Sequence, residues 1–198
     1  MDCVKIGKLI AKLRKEKGLT QKNVADALGV LNKTVSKWEC GLGCPDLSYW
    51  ADLSTILGVD ISQMMEGEIT PNKPDSGNID RVRFYVCPSC GNILVSTGSA
   101  SISCCGMKID YLTHVSQNKD FTISVEEVDT DYYISTNHPM EKDHYLSFVA
   151  YVKTDSIFLK RLYPEQSPNF RIPMISGGKL YLYCTKQGLT SFPDLFGE

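Results

Sequence analysis

The pattern of apolar and polar positions predicts five short helices over residues 1–68. The first is the clearest, because four apolar residues recur at i, i+3, i+4 and i+7: Ile6, Leu9, Ile10 and Leu13. Gly18 is placed to end this helix. Thr20 is expected to cap the second helix, which Gly29 ends, and Asp46 is expected to begin the fourth. These elements predict an all-α unit.

The pattern changes after residues 69–79, which contain two prolines, a glycine and polar turn formers and are predicted to be a linker. Short alternating or β-branched runs follow, such as FTISVEEV, YLSFVAYV and KLYLYC. We expect a cysteine-rich knuckle over residues 80–112 and a mostly antiparallel β-sandwich over 113–198. The predicted fold class is therefore multidomain, α and β.

Length and composition exclude a disordered or collagen-like chain. The 198 residues are 42% hydrophobic and 22% charged, which is ordinary for a folded protein. No stretch approaches the roughly 18 apolar residues of a membrane helix, and the amino terminus lacks a secretory signal. We therefore expect a cytoplasmic protein with no membrane partner, in which clustered cysteines are more often metal ligands than disulfides.

The formal net charge of −2 hides a local asymmetry. Residues 1–40 carry nine Lys or Arg against four Asp or Glu, whereas residues 41–68 carry five acids and no base. A basic face for nucleic acid must therefore lie in the first forty residues.

Polar and basic side chains dominate the second and third helices, while four apolar residues are spaced to point inward: Val24, Leu28, Val35 and Trp38. The segment GLTQKNVADALGVLNKTVSKWECG resembles the Cro/repressor-type helix-turn-helix of bacterial regulators. The resemblance implies that the third helix enters the major groove of double-stranded DNA. The side chains expected at the DNA are Gln21, Lys22, Asn32, Lys33, Thr34, Ser36 and Lys37.

The resemblance carries three further expectations. Arg14 and Glu39 match an internal ion pair of the family. Leu31 stands where the family usually has Ser or Thr, so Asn32 is the candidate to cap the third helix. Such domains act in symmetric pairs, which predicts a homodimer on two half-sites. The plainer alternative is that the lysines only solvate a surface helix.

Cys87-Pro-Ser-Cys90-Gly and Cys104-Cys105-Gly place four thiols on two turns. Four sulfurs suit tetrahedral Zn²⁺ or mononuclear iron, and the glycines let the turns close round an ion. We therefore predict one Zn or Fe ion; four buried thiols or a redox disulfide are the alternatives. The vicinal pair resembles the small domain of desulforedoxin and desulfoferrodoxin, which implies one iron in four cysteines and pairing of chains through this module.

A second motif, NHPMEKDHYLSF followed by LYCTKQG, resembles the superoxide reductase domain of desulfoferrodoxin. That resemblance implies iron with four equatorial histidines and an axial cysteine, to which His138, His144 and Cys184 correspond. Gln187 stands in place of one histidine, and Asp120 in place of another.

The chain has only three histidines, so recruiting His114 cannot restore four. Two interpretations of this degenerate second site stay open. In one the β-sandwich is vestigial, the two histidines and the cysteine merely pack, and no second ion is bound. In the other the site is remodelled for Zn or another ion.

We expect a DNA-binding transcriptional regulator whose metal-binding, desulfoferrodoxin-like domain serves dimerisation or redox or metal sensing. The alternative is an iron oxidoreductase of the superoxide reductase type with a DNA-binding appendage, which the missing ligands oppose. No catalytic residue is assigned. A docking module that presents aromatic strands is a third class, although such aromatics usually belong to the core. Cys3, Cys40 and Cys44 are expected to behave as small apolar residues, and the alternative is a thiol switch near the DNA-binding face.

Overall fold

The computed structural model describes residues 1–115, 122–175 and 177–192, and the chain divides into two compact units, Met1–Pro71 and Asn72–Glu198. The division falls inside the segment predicted to be a linker. No helix within these described ranges combines the length and apolar character needed to cross a membrane. Helices in the first unit and antiparallel strands in the second confirm the predicted fold class.

The first unit contains five helices: α1 Cys3–Glu16, α2 Gln21–Leu28, α3 Asn32–Glu39, α4 Trp50–Leu57 and α5 Ile61–Glu66. Thr20 caps α2 as predicted, because its hydroxyl accepts from the Asn23 N–H while the Asn23 side chain accepts from the Thr20 N–H. Gly29 ends α2 in the left-handed conformation, with φ of 66°. This tight turn leads directly into α3.

Helix α1 packs closely against α3. A Cβ atom at Gly7 would lie 1.9 Å from the Trp38 carbonyl oxygen, so this approach requires glycine. A disulfide joins Cys3, at the start of α1, to Cys44 in the loop after α3, which corrects the expectation of separate apolar cysteines. The core of the unit includes fully buried residues from four of the helices: Ile10, Val24, Val35 and Leu53.

Two other expectations for this unit are wrong. Leu31, and not Asn32, is the N-cap of α3, and within the described residues its side chain makes no cap hydrogen bond because leucine has no acceptor. Asp46 does not begin α4. Its carboxylate accepts from the Ser48 N–H and caps a single 3₁₀ turn, Leu47–Tyr49, after which α4 starts.

The second unit has eleven strands in its described residues, all paired antiparallel in four sheets. Their bounds are β1 Arg83–Val86, β2 Ile93–Ser96, β3 Ile102–Cys104, β4 Met107–Ile109, β5 Ile123–Val128, β6 Asp131–Thr136, β7 Leu146–Val152, β8 Ile157–Arg161, β9 Phe170–Pro173, β10 Lys179–Cys184 and β11 Gly188–Phe192. β1 pairs with β2 and β3 with β4, which gives two small hairpins.

Two larger sheets form a sandwich, one with the order β11-β10-β7-β8 and the other with the order β5-β6-β9. Their facing sides enclose a core that includes Ile134, Val149, Phe170 and Leu182. Alternate residues of β7 and β10 point to the opposite face, where Phe148 and Tyr181 pack against Phe84 of β1. The hairpins are thereby attached to the outer face of the sandwich.

Candidate nucleic-acid interface and metal centres

The side chains predicted to contact DNA lie away from the core of the first unit. The inner face of α3 is fixed by Val35 and Trp38, which are buried. The outer side carries residues that are exposed or half-buried: Lys22, Asn32, Lys33 and Lys37 are exposed, and Gln21, Thr34 and Ser36 are half-buried. A short helix with one buried and one polar, basic face is the arrangement that fits a major groove.

The predicted ion pair is present and holds the end of α3. Arg14 Nε and Nη2 donate to the two carboxylate oxygens of Glu39 at 2.6 and 2.9 Å, and Arg14 Nη1 donates to the Leu19 carbonyl at 2.7 Å. Gln21 Nε2 also donates to Glu39, at 2.9 Å, a contact that the sequence did not predict when Gln21 was expected at the DNA. Burial raises the pKa of Glu39, but the hydrogen bonds from Arg14 and Gln21 outweigh it and hold the pKa below its ordinary 4.5.

Two turns present the four predicted cysteine ligands. Residues 87–92 connect β1 to β2, closed by a hydrogen bond of 2.9 Å from the Gly91 N–H to the Cys87 carbonyl. Cys105 and Gly106 connect β3 to β4 with φ of 52° and 76°, the positive pair that defines a type I′ hairpin turn. A left-handed cysteine costs about 1–3 kcal/mol, so this strained conformation needs support from the packing or from an ion.

The geometry suits one tetrahedral ion. All four sulfurs lie within 4.8 Å of one another, with Cys90 Sγ 3.6 Å from Cys104 Sγ and Cys104 Sγ 3.9 Å from Cys105 Sγ. A metal–sulfur bond of about 2.3 Å corresponds to a tetrahedral edge of roughly 3.8 Å. The vicinal cysteines and the C-x₂-C pair can therefore bind the same ion.

The electrostatics of this cluster favour a cation. The backbone N–H groups of Cys90 and Ser89 donate to the Cys87 sulfur and lower its pKa to about 7, against the effect of burial. The neighbouring thiols, Cys90 foremost, raise the pKa of Cys105 to about 12 and also raise that of Cys104. Four adjacent thiolates repel one another, and a bound divalent ion would remove that repulsion.

The three residues of the degenerate second site also converge. His138 follows β6, His144 precedes β7 and Cys184 ends β10, where a β-bulge shifts the register after Tyr183. Their ligand atoms lie within 4.8 Å of one another, and the two imidazole rings meet edge to face with centroids 4.9 Å apart. His138 and Cys184 are only 3% and 2% exposed. The sandwich therefore brings these groups together at one end of its core.

Gln187 lies beside this cluster, in the β10–β11 turn. Burial lowers the pKa of His138, and the neighbouring His144 lowers it further. The Pro139 carbonyl and the Gln187 side chain both raise it, but the pKa remains below its ordinary value. His114 is not among the ligand groups that converge here in the described residues; its ring lies 5.5 Å from that of Tyr181. Lys119 and Asp120, the latter predicted at another ligand position, lie outside the described residues.

Comparison with known proteins yields matches for both parts of the chain. A family model for the helix-turn-helix matches residues 10–64. The uncharacterized HTH-type transcriptional regulator YqaE of Bacillus subtilis is 37% identical over 59 residues, covering 30% of this chain and 51% of that protein. The desulfoferrodoxin of Syntrophotalea carbinolica is 29% identical over 121 residues, covering 57% of this chain and 96% of that protein.

Among solved structures, the superoxide reductase from Treponema pallidum matches 56% of this chain and 97% of its own length, with 18% identity and a TM-score of 0.48. The sequence matches confirm the two resemblances that the motifs predicted.

Proposed function

We propose that this chain, in which a helix-turn-helix domain precedes a desulfoferrodoxin-like domain, is a transcriptional regulator that binds double-stranded DNA through α3. The observation that carries the proposal is the division of α3 into two faces. Val35 and Trp38 anchor it, and Asn32, Lys33 and Lys37 extend from its outer face. Lysines there would contact phosphates, while Asn32 has the donor and acceptor needed to read an adenine edge.

The experiment is a binding titration with the full chain. Duplexes enriched from a random library by the wild-type protein are titrated by fluorescence anisotropy at several salt concentrations. Lys33→Ala and Lys37→Ala each weaken binding and reduce the slope of log K against log salt by about 1. Lys160→Ala, the same change on β8 of the second unit, leaves affinity and slope unchanged. Indifference to both α3 substitutions would exclude α3 as the DNA-reading helix.

The second part of the proposal concerns the metal. The four-cysteine site would hold one Zn or Fe ion that stabilises the hairpins over residues 83–109. Mass spectrometry of protein purified without air gives the ion and its stoichiometry. A visible spectrum separates the two metals, because thiolate-bound ferric iron is coloured and zinc is not.

The third part concerns assembly. A helix-turn-helix regulator reads a palindromic operator with two recognition helices spaced by one helical turn of DNA, so we infer a homodimer. The resemblance to desulforedoxin assigns the pairing to the four-cysteine module. Sedimentation with and without bound metal tests this assignment: metal-dependent dimers support it, and monomers under both conditions contradict it.

Superoxide reduction is the second candidate function, and the convergence of His138, His144 and Cys184 is the observation that favours it. Gln187 in a histidine position opposes it, because an amide oxygen is a poor ligand for a redox-active iron centre. Superoxide consumption by the ferrous-loaded full chain is the test. No consumption above the rate of buffer-dissolved ferrous ion would exclude this activity.

A further inference from the structure

We propose that His138, His144, Cys184 and Gln187 form a closed site for a redox-inert divalent cation, Zn²⁺, in place of the open iron site that the family resemblance implies. The proposal is independent of DNA binding by α3 and of the four-cysteine site. It assigns to this chain a second, structural ion at the end of the β-sandwich.

The first support is the burial of the donors. The ligand atoms of His138, His144 and Cys184 come within 4.8 Å of one another, and two of the three residues are almost completely buried. Placing polar groups beside an apolar core is unfavourable unless each finds a partner. A cation shared by all of them is such a partner.

The second support is a pair of polar atoms that the protein leaves unsatisfied. His144 Nε2 and Gln187 Oε1 are buried, and neither has a partner at hydrogen-bond geometry in the described residues, although Gln187 lies close enough to His138 to raise its pKa. A carboxamide oxygen can only accept, so it needs a donor or a cation. Buried polar atoms are seldom left unpaired, and a bound metal ion would account for both.

The third support is the environment of the sulfur. The backbone N–H groups of Lys186 and Gln187 both donate to Cys184 Sγ at 3.4 Å. Two N–H dipoles directed at one sulfur compensate the negative charge of a thiolate ligand, as the partners around metal-bound side chains usually do. The β10–β11 turn therefore supplies both N–H donors to the sulfur and also carries Gln187, the proposed fourth ligand.

The fourth support is the tautomer of His138. Its Nδ1 lies 2.5 Å from the Pro139 carbonyl oxygen. Because a carbonyl only accepts, Nδ1 carries the proton and Nε2 presents its lone pair. Histidines that bind metals are commonly oriented in this way, by donation from the other ring nitrogen to a carbonyl.

The donor set decides the metal class. The described residues supply two imidazoles, one thiolate and one amide oxygen, whereas the resemblance implies four imidazoles and a thiolate round iron. Two imidazoles and one thiolate are donors that tetrahedral Zn²⁺ prefers, and the Gln187 amide oxygen would be a weaker fourth donor. With Gln187 as fourth ligand no position is left open for an oxygen species, which is the chemical difference from a reductase.

Metal counting on the full chain tests the proposal. Protein stripped of metal without air, reloaded with Zn²⁺ and exchanged into metal-free buffer is expected to hold two ions per chain by mass spectrometry. His144→Asn and Cys184→Ser each reduce the count to one, while the matched controls His114→Asn and Cys40→Ser keep two. One ion in the wild type, or two in His144→Asn, overturns the second site.

Two measurements keep the test decisive if a variant folds poorly. Wild-type protein loaded with cadmium-113 gives two NMR resonances, because four sulfurs deshield cadmium far more than one sulfur does; a single resonance contradicts the proposal. Gln187→Leu, which preserves volume, releases its second ion to a chelator about 10-fold faster or more than the wild type, whereas Gln187→His retains it. An unchanged release rate in Gln187→Leu would remove Gln187 from the ligand set and the closed site with it.

The same counts separate this proposal from the four-cysteine site. Cys104→Ser is expected to lose the other ion and keep the one at His144. If Cys104→Ser keeps two ions while His144→Asn drops to one, the four-cysteine assignment fails and the present proposal stands.

Discussion

Among single residues of the first unit, Arg14 and Glu39 form a largely buried ion pair. Their side chains are only 11% and 7% exposed, and Arg14 contacts both the end of α3 and the segment before α2. Removing one partner of a buried pair leaves the other charge unpaired, which costs far more than a surface ion pair contributes. The position of α3 therefore depends on two residues that need not touch DNA.

Glu39→Ala is expected to destabilise the first unit by about 3–5 kcal/mol, because Arg14 keeps its buried charge without a counterion. The two tryptophans of the chain, Trp38 and Trp50, both lie in this unit, so urea unfolding followed by tryptophan fluorescence reports it alone. Lys12, which pairs with Glu16 on the exposed side of α1, supplies the control: Lys12→Ala changes stability by less than about 0.5 kcal/mol. A loss that small in Glu39→Ala would contradict the structural role of the pair.

The lowered pKa of Glu39 predicts that the stability of the first unit depends on pH. The pKa of Glu39 is lower in the folded chain than its ordinary 4.5, so its contribution is complete above about pH 4.5 and is lost as pH falls through the lowered value. Glu39→Gln removes this part of the acid dependence. Urea midpoints of the wild type and of Glu39→Gln, measured from about pH 3 to about pH 6, test this dependence because a carboxylate titrates within that range.

The sequence predicted residue identities better than residue partners. The four cysteines follow from residue types and spacings along the chain, and the Arg14–Glu39 ion pair follows from the family resemblance. The hydrogen bond from Gln21 to Glu39 and the N–H donors to Cys184 depend on where helices and strands meet. No local pattern contains that information.

At the scale of elements, α3 begins with an unusual cap. Leu31 is 76% exposed, and although its carbonyl accepts from the Thr34 N–H at 2.8 Å, its side chain offers no acceptor to the N–H groups of the first turn. A side-chain oxygen at this position would satisfy one of them. The helix that is proposed to read DNA thus starts with less stabilisation than its neighbour α2, which Thr20 caps.

Leu31→Ser is expected to stabilise the first unit by about 1 kcal/mol, by supplying the missing cap. Leu31→Ala is the matched control, since alanine caps no better than leucine and little buried surface is lost. Fluorescence-detected unfolding compares the three proteins. Equal stability of the serine and alanine variants would show that these N–H groups already have partners.

Helices were predictable because glycines, a threonine and 3.6-residue spacing mark their ends and faces. Asp46 misled the prediction, since an aspartate that caps a 3₁₀ turn and one that caps an α-helix look alike in sequence. The β-bulge at Tyr183 and Cys184 was equally hidden, although it places the sulfur of the second site.

For the whole molecule, the four-cysteine site is predicted to couple folding of the hairpins to metal. In the part of the chain that the structure describes, the local core beneath it consists of the buried residues Tyr85, Cys87 and Ile109, with Leu94, Ile102 and Cys104 partly buried around them. A structural ion of this kind contributes on the order of 10 kcal/mol, which such a small core cannot replace.

Cys104→Ser is therefore expected to lose its ion and unfold residues 83–109, detected as new sites of limited proteolysis. The fluorescence of the helical unit stays unchanged, and affinity for a palindromic duplex falls because pairing of chains is lost. Cys40→Ser, a change at an exposed cysteine outside the cluster, leaves all three readouts intact. A Cys104→Ser variant with a full complement of metal would disprove the assignment.

The disulfide between Cys3 and Cys44 closes residues 3–44 into a covalent loop that contains α1, α2 and α3. Closing a loop across a sequence separation of 41 lowers the entropy of the unfolded chain, which adds about 4 kcal/mol to the free energy of unfolding. A reductant that breaks the disulfide removes this contribution. The stability of the unit that contains α3 therefore depends on whether this disulfide is formed.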